Sequence, residues 1–367
     1  MDNKLSRRTA VGLAVGLGTC GLPSMAGFAQ QTITDPGQNP TPSEDKSDNW
    51  FTAVAVSADS RLVAGANTVR AIGIWELLTG RLVKQFVFPP TQNLVGALAF
   101  TTDGERLLVG NAPQRRRSKG KVLLEYDVAS GDIISEVSVD PNWVHQIATC
   151  AKVDWFATAG SGYDRSLRVW KAQGLRPHHI WPAHESAVLA VAISPDGKRI
   201  VTGGGHSHRG GRDPSVRIWD AGTAQQLHKL GGHARSVVDL VVTADGRSLV
   251  SLSDDAVQVW ALDTGKLLRR VKFAEDAATA KKLSPDGRYL VSLTPGDEGV
   301  LITQAVATGR TLFKIERRTS HIEPIAISAD STLILVGGAN GQIDIHAAAT
   351  GALVRRMQPL TQPPKPQ

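Results

Sequence analysis

The sequence predicts an all-β protein made of seven copies of one short unit. The 367-residue chain is 41% hydrophobic and 20% charged, which is too apolar for an intrinsically disordered chain. Its two cysteines are too few for a disulfide-stabilised scaffold. Two markers recur and define the unit: a tight turn after an apolar run, and a Trp at the end of a β-branched run.

The first marker is a four-residue turn. Its clearest copies are Ser194-Pro195-Asp196-Gly197 and Ser284-Pro285-Asp286-Gly287. Pro, Asp and Gly at these positions suit a type I turn. The remaining copies begin at Ser57, Thr101, Thr243 and Ser328, with a degenerate copy at Cys150.

The second marker is a Trp that, in the clearest copies, stands five residues before a Gly, as in Trp75 with Gly80 and Trp260 with Gly265. The position recurs at residues 75, 126, 170, 219, 260, 304 and 346, where Tyr126, Gln304 and His346 replace Trp in the weaker copies. The intervals run from 41 to 51 residues, so residues 50–357 hold seven units averaging 44 residues.

Each unit divides into four short strands. In the fourth unit the runs rich in Val, Ile and Leu cover residues 188–194, 199–203, 216–220 and 226–230, and Gly, Pro and Asp separate them. A lone sheet of this size cannot bury both faces, whereas seven sheets packed radially give each sheet two neighbours. The sequence therefore predicts a seven-bladed β-propeller of four-stranded antiparallel blades over residues 49–358.

Polar residues of two units resemble the signature of the WD40 β-propeller family, which places a His near the start of a repeat and a Trp-Asp pair at the end of its third strand. Unit four has the full set: His184, Thr202, Asp213, Trp219 and Asp220. Unit five has most of it: His233, Ser251, Asp255 and Trp260. Ala261 replaces the final Asp there, and one residue is missing before Trp260. The runner-up is a related propeller of the TolB-like type, which also uses Ser-Pro-Asp-Gly turns.

The resemblance covers about residues 50–357, although unit three has Asp140 where the His would be and keeps Thr158, Asp164 and Trp170. It implies that His184 bonds Asp213 and that Thr202 bridges towards Trp219. Such a network satisfies buried polar groups and is structural. A catalytic nucleophile would need exposure and an oxyanion site, and the sequence indicates neither.

Two units are longer than the rest, and both carry their insertion between the second and third strands. The first insertion, residues 111–121, carries five bases and no acid: Arg115, Arg116, Arg117, Lys119 and Lys121. It is either a solvated surface loop or a contact for an acidic partner, because clustered positive charge attracts anions. In the family these loops share one face with the loops that join repeats, and that face often binds partners.

The second insertion, residues 204–213, contains His206 and His208. A His-x-His pair can supply two imidazole ligands, but a structural zinc needs four ligands. A flexible Gly-rich loop is the alternative interpretation.

The function that these features favour is a non-catalytic protein-protein interaction platform, monomeric, without a cofactor, binding a protein or acidic peptide through its loop face. The chain has no His-Glu-x-x-His, Walker or dinucleotide-binding motif. The alternative is a propeller enzyme such as a lactonase-like hydrolase with a metal in the central channel. A nucleic-acid partner is disfavoured, because the excess of bases is confined to one loop.

Residues 1–29 predict an export signal that delivers the chain to a bacterial periplasm. Lys4, Arg7 and Arg8 precede a Gly-interrupted apolar stretch that suits a cleaved signal better than a membrane helix. Residues 6–9 resemble the twin-arginine signal. Residues 30–48 predict a flexible linker and residues 359–367 a disordered tail. Removing the signal lowers the net charge from +7 to +5, which equals the charge of the first insertion.

Overall fold

A computed structural model describes residues 49–89, 93–113, 123–138, 143–161, 165–206, 212–273, 278, 280–294, 299–317, 323–338 and 341–360. All of them belong to one unit of the chain, Ser47–Gln367. The predicted signal and linker, Asp140, Asp164 and His208 lie outside the described residues, as do Arg115, Arg116, Arg117, Lys119 and Lys121.

The described residues form seven sheets of four antiparallel strands, each in simple sequential order, which confirms the predicted seven-bladed all-β propeller. Blade 1 contains β1 (Phe51–Val56), β2 (Leu62–Asn67), β3 (Ala71–Glu76) and β4 (Leu82–Val87). Blade 2 contains β5 (Asn93–Phe100), β6 (Arg106–Pro113), β7 (Leu123–Asp127) and β8 (Ile133–Val137). Blade 3 contains β9 (Trp143–Thr149), β10 (Trp155–Ser161), β11 (Ser166–Lys171) and β12 (Pro177–Pro182). Blade 4 contains β13 (Val188–Ile193), β14 (Arg199–Gly204), β15 (Val216–Asp220) and β16 (Gln226–Leu230).

The remaining three blades repeat the pattern. Blade 5 contains β17 (Val237–Val242), β18 (Ser248–Ser253), β19 (Val257–Ala261) and β20 (Leu267–Val271). Blade 6 contains β21 (Ala280–Leu283), β22 (Tyr289–Thr294), β23 (Val300–Ala305) and β24 (Thr311–Glu316). Blade 7 contains β25 (Ile325–Ile327), β26 (Leu333–Gly337), β27 (Ile343–Ala347) and β28 (Leu353–Arg356).

The first strand of each blade surrounds the central channel. Each of these strands contacts the first strand of the next blade, and β25 contacts β1, so the ring is closed. The second and third strands are covered on both faces by neighbouring blades and are nearly fully buried, whereas the fourth strands are largely exposed. The apolar core therefore lies between blades, as where Val169 of blade 3 packs in one cluster with Val191 and Ile200 of blade 4.

The turn marker is stabilised by an Asp carboxylate that accepts hydrogen bonds from groups within the same turn. The Ser194 hydroxyl donates to Asp196 Oδ1 over 2.6 Å, and the Lys198 amide donates to the same oxygen over 3.0 Å. Gly197 has a φ of 73°, which a side chain would strain. The same hydroxyl-to-carboxylate bond recurs in the turns that begin at Ser57, Thr101, Thr243, Ser284 and Ser328. The end of each blade that carries these turns is called the turn face below.

A β-bulge lies between the third and fourth strands of every blade, opposite the marker Trp position. One residue of the fourth strand is therefore left unpaired. This bulge residue is aliphatic in six blades and a histidine in blade 3: Val83, Ile134, His178, Leu227, Leu268, Leu312 and Val354.

The ring closes without exchange of a strand between the two termini, because blade 7 takes all four of its strands from the C-terminal part of the chain. Beyond β28 the chain crosses to blade 1. Nε1 of Trp75 donates to the Gln358 carbonyl over 3.0 Å, and Nδ2 of Asn49 donates to the Leu360 carbonyl over 3.2 Å. Leu360 lies within the predicted tail and is buried in the apolar cluster shared by blades 7 and 1.

Candidate functional site

The polar residues of blade 4 form one continuous buried network. Nε1 of Trp219 donates to Thr202 Oγ1 over 2.9 Å. The Thr202 hydroxyl donates to Nε2 of His184 over 2.8 Å, and Nδ1 of His184 donates to Asp213 Oδ2 over 3.0 Å. Since each hydrogen is used once, this arrangement assigns His184 as the neutral tautomer with its proton on Nδ1.

Burial and hydrogen bonding set the protonation of this network. Burial lowers the pKa of His184, and the hydrogen bond to Asp213 opposes that shift only in part. Burial raises the pKa of Asp213, but hydrogen bonds from His184, the Ser215 hydroxyl and the Glu185 amide outweigh it and hold that pKa below its usual value. The imidazole is therefore neutral at pH 7, and both of its nitrogens are engaged inside the protein. This geometry gives His184 a structural role.

Asp213 ties three segments together where blade 4 meets the connector from blade 3. Its Oδ2 accepts from the Glu185 amide over 3.0 Å and from Nη2 of Arg217 over 2.8 Å. Its Oδ1 accepts from the Ser215 hydroxyl over 2.6 Å. The connector, the end of the second insertion and β15 are thus held by one carboxylate. We call this end of the blades, which carries the insertions and the connectors between blades, the loop face.

Two glycines let the second insertion leave β14 at this point. A Cβ added at Gly204 would lie 2.2 Å from the Asp213 carbonyl oxygen and 2.4 Å from Nδ1 of His184. A Cβ at Gly205 would lie 2.3 Å from Cδ1 of Leu189. The backbone must therefore pass this close to the network, and only glycine allows it.

Blade 5 contains a looser version of the same network. Nε2 of His233 lies 2.8 Å from Ser251 Oγ, which also accepts from Nε1 of Trp260 over 2.9 Å. Nδ1 of His233, however, is 3.5 Å from Asp255 Oδ1. Asp255 stands five residues before Trp260 rather than six, so its carboxylate falls short of the imidazole. Arg270 pairs with Asp255 instead, over 2.7 Å.

The other blades keep less of the set. In blade 3, Nε1 of Trp170 donates to Thr158 Oγ1 over 2.9 Å, and no described histidine joins that bond. In blade 1 the indole of Trp75 reaches the Gln358 carbonyl and so serves ring closure. Among the described residues, bonds from a marker Trp to a buried hydroxyl thus occur in blades 3, 4 and 5, beside the second insertion.

The two described ends of the second insertion contact the connector between blades 4 and 5. The His206 amide donates to Ser236 Oγ over 3.1 Å, and Nδ1 of His206 lies 2.9 Å from the same oxygen. With that oxygen accepting from the amide, the Ser236 hydroxyl is free to donate to Nδ1, and Nε2–H of His206 then points outward as a donor. The Arg212 guanidinium donates to the Ala234 carbonyl. His206 and Arg212 are both exposed.

Among the described residues on the loop face of blades 3 to 5, positive charge exceeds negative charge. Each described carboxylate there has a basic partner within 4 Å, in the pairs Asp213 with Arg217, Glu185 with Lys229, Asp254 with Lys281 and Asp255 with Arg270. Three exposed arginines remain with no described carboxylate in that range: Arg165, Arg212 and Arg235. We call these three residues the arginine rim.

The arginine rim is continuous with the polar network of blade 4. The Arg165 carbonyl accepts from the amides of Ala183 and His184 over 2.8 and 3.2 Å. Arg212 precedes Asp213 and reaches Ala234, the residue before Arg235. The buried network therefore holds in place the loops that carry the three exposed guanidinium groups.

Comparison with known proteins agrees with this geometry. A family model described as WD40, "WD domain, G-beta repeat", matches residues 175–220 and 224–261. These stretches contain the marker Trp residues of blades 4 and 5, both of which bond a buried hydroxyl. The chain is a WD40-repeat β-propeller. No curated protein matches it.

Sequence reasoning missed a second polar cluster, at the channel mouth of this WD40 propeller. Nε2 of Gln146 in blade 3 donates to Asp239 Oδ1 in blade 5 over 2.9 Å, and Nζ of Lys282 in blade 6 donates to the same oxygen over 2.8 Å. The Val191 amide donates to Gln146 Oε1, and the Leu283 amide to Asp239 Oδ2. Side chains of three blades and a backbone amide of a fourth thus meet across one side of the channel.

The sequence carried a signal for this cluster. Gln146 and Asp239 stand four residues before the marker turn, where blades 1, 2, 4 and 6 have Ala. Gln146, Asp239 and Lys282 of this cluster line a cavity of about 270 Å³, which Leu189, Val238 and Lys281 also line. Leu189 lies against Gly205 of the second insertion, and Val238 is the second residue of β17, which begins at the loop face, so this cavity opens at the loop face.

Among the described residues, no group of three or more His, Cys, Asp or Glu side chains is placed to hold a metal ion. Of the His-x-His pair, His206 is the described member, and its Nδ1 faces Ser236. No helix within the described ranges is long and apolar enough to cross a membrane.

Proposed function

We propose that this WD40 propeller is a non-catalytic scaffold that binds an acidic protein segment at the loop face of blades 3 to 5. The observation that carries the proposal is the arginine rim: Arg165, Arg212 and Arg235 are exposed, and no described carboxylate pairs with them. Arginine is favoured at such contacts because its planar fork of donors matches a carboxylate and is weakly hydrated.

Hydrogen bonds hold the described ends of the loops that carry the rim, and such preorganisation supports binding. These loops are held by Asp213, by the Ser236 contacts of His206 and by the bond from Arg212 to the Ala234 carbonyl. A partner that binds preorganised loops loses less conformational entropy than one that must order them. The neighbouring cavity at the channel mouth adds an apolar wall from Leu189 and Val238.

The first insertion supplies further positive charge to the proposal. Its five bases fall between the second and third strands of blade 2, and in WD40 proteins such loops belong to the loop face. Long-range attraction between these bases and an acidic partner raises the association rate and is screened by salt. Changing Arg115, Arg116 and Arg117 to Ala should therefore weaken capture and flatten its salt dependence.

We place this scaffold in the bacterial envelope, on the strength of the basic, apolar and small-residue pattern of residues 1–29. Without that segment Cys150 is the single cysteine, so the fold needs no internal disulfide. The partner is then an acidic protein or peptide of the same compartment.

The test compares two triple variants in binding a poly-glutamate probe by calorimetry at low and moderate salt. Arg165→Glu/Arg212→Glu/Arg235→Glu reverses the rim. Arg61→Glu/Arg247→Glu/Arg288→Glu reverses three exposed arginines at equivalent positions on the turn face. We expect the rim variant to lose binding by at least ~10-fold and the control to keep it, since three charge contacts at about 0.5 kcal/mol each give that factor. Equal binding by both variants, with unchanged melting temperatures, would refute the proposal.

A further inference from the structure

A groove on the turn face, between blades 3 and 4, has features that the scaffold function leaves unused. Its volume is about 370 Å³, within the range of small-molecule sites. Blade 3 contributes Trp155, His178 and His179 to one wall, and blade 4 contributes Lys198 and Arg199 to the other. The groove lies at the opposite strand ends from the arginine rim, because β14 begins at Arg199 and ends at Gly204.

The bulge of β12 is what brings two imidazoles together here. Adjacent residues of a regular strand point to opposite faces. His178 is the unpaired bulge residue, since Val169 pairs with His179 and Trp170 with Pro177. The rings of His178 and His179 consequently lie 4.1 Å apart at their centroids. The bulge residue is aliphatic in the six other blades, so fold alone does not require a histidine at this position.

Most charged side chains in and beside the groove form ion pairs, and Lys198 is the exception among the described residues. Asp220 pairs with Arg199 over 3.1 Å, and its other oxygen accepts from the Gly222 and Thr223 amides. Lys171, next to the groove, pairs with Asp154 over 3.2 Å. Lys198 has no described carboxylate within 4 Å. The groove therefore presents the Lys198 ammonium group, which forms no ion pair with a described carboxylate, next to a wall of one indole and two imidazoles.

One glycine keeps the blade 4 wall open. Gly222 lines the groove, and a Cβ added there would lie 3.6 Å from Oδ1 of Asp220, another groove residue. A flat ring can therefore approach the aromatic wall with its polar group directed at Lys198. Aromatic surfaces favour offset or edge contact with such a ring, and a charged hydrogen bond to an anion is stronger than a neutral one.

We propose that this groove binds a small aromatic anion, with its ring against Trp155, His178 and His179 and its carboxylate or phosphate group at Lys198. The inference is independent of the acidic-partner proposal, because it concerns other residues at the other end of the blades.

Calorimetry with the full chain tests it, using benzoate and phenyl phosphate as probes. Acetate and inorganic phosphate carry the anion without the ring, and benzyl alcohol carries the ring without the anion. We expect the two aromatic anions to bind at least ~10-fold more tightly than any of the three controls, the factor that corresponds to about 1.4 kcal/mol. Imidazole proton resonances of His178 and His179, assigned with single variants, should shift as the probe is added.

The variants are chosen so that the fold is kept. His178→Leu places at the bulge the residue type that blades 4, 5 and 6 already have there. Lys198→Ala removes the ammonium group, and Arg247→Ala removes the residue at the same turn position in blade 5. We expect His178→Leu and Lys198→Ala each to weaken binding ~10-fold and Arg247→Ala to leave it unchanged.

Three outcomes would overturn the proposal. They are the absence of saturable binding for both aromatic anions, equal affinity for inorganic phosphate and phenyl phosphate, and unchanged affinity in both groove variants. If benzoate binds and phenyl phosphate does not, or the reverse, the proposal stands and the anion is identified.

Discussion

The buried network of blade 4 predicts a specific loss of stability when Thr202 becomes valine. The substitution keeps the shape of the side chain and removes the hydroxyl. Thr202 is fully buried, and His184 and Trp219 are 4% and 5% exposed, so water cannot replace the lost bonds. The indole Nε1–H of Trp219 and Nε2 of His184 are both left without a partner.

The magnitude follows from these two groups. Leaving one buried polar group unsatisfied costs about 1–3 kcal/mol, so Thr202→Val should lower the free energy of unfolding by about 2–5 kcal/mol. Thr158→Val in blade 3 is the matched control. There the hydroxyl accepts only from Nε1 of Trp170 among the described residues, so the expected loss is about 1–3 kcal/mol.

Equilibrium urea unfolding measures both variants against the natural chain. The midpoint and slope are recorded together, because a changed slope would show that unfolding is no longer a single transition. We expect Thr202→Val to be the more destabilising of the two by at least about 1 kcal/mol. A loss in Thr202→Val equal to that in Thr158→Val would show that the His184 bond contributes nothing and would refute the network argument.

Three further predictions concern protonation, the channel and the closure of the ring. Burial lowers the pKa of His184 and His233 below 6.5, so the unfolded chain binds more protons than the folded chain at mildly acidic pH. The free energy of unfolding should therefore be highest above about pH 6.5 and fall as the pH drops below it, by at most about 1.4 kcal/mol per pH unit per histidine. A free energy of unfolding in urea that stays constant between about pH 7.5 and pH 5.5 would contradict this. Asp239→Ala leaves Lys282, Gln146 and the Leu283 amide without their carboxylate and should cost about 2 kcal/mol, reduced from the fully buried case because Lys282 is 34% exposed. Asp154→Ala, at the exposed pair with Lys171, should cost much less. Leu360→Ala should lower the free energy of unfolding by about 2–5 kcal/mol and speed hydrogen exchange in blades 7 and 1. Val354→Ala, at a 44% exposed site, should change neither quantity. Equal effects of the two variants would show that the segment after β28 does not hold the ring together.

Much of the fold could be predicted from the sequence because its markers have local causes. Asp196 accepts from a hydroxyl two residues before it and from an amide two residues after it, so the turn is encoded within five residues. Trp219 marks the end of a third strand because its indole bonds Thr202 on the neighbouring strand. Repetition of such signals indicates seven blades without any knowledge of long-range contacts.

Other features depend on contacts between distant parts of the chain. Gln146 meets Asp239 across the channel, 93 residues later, and this meeting depends on the radius of the ring. The bond from Trp75 to the Gln358 carbonyl spans 283 residues. The pairing of His178 with His179 required the bulge register, which the alternation of a strand does not reveal.

The arginine rim could not be predicted from the sequence either, for a different reason. Arg165, Arg212 and Arg235 are scattered singly along the chain, and Arg165 and Arg212 each stand next to an aspartate in the sequence. Only the structure shows which carboxylates are already paired and which guanidinium groups are left over. The five bases of residues 115–121 are conspicuous because they are clustered in the sequence. Clustering in the sequence does not show, however, whether a charge is paired in the structure.

The most direct test of the central claim is site-specific photo-crosslinking in envelope extracts of the source organism. A photoreactive amino acid at Val238 probes the loop face without removing a charge, and one at the exposed Ala244 probes the turn face of the same strand pair. The account predicts a cross-link from Val238 to a protein with an acidic segment, lost in Arg165→Glu/Arg212→Glu/Arg235→Glu and absent from Ala244. The same products from both positions, or a Val238 product that survives reversal of the rim, would contradict it.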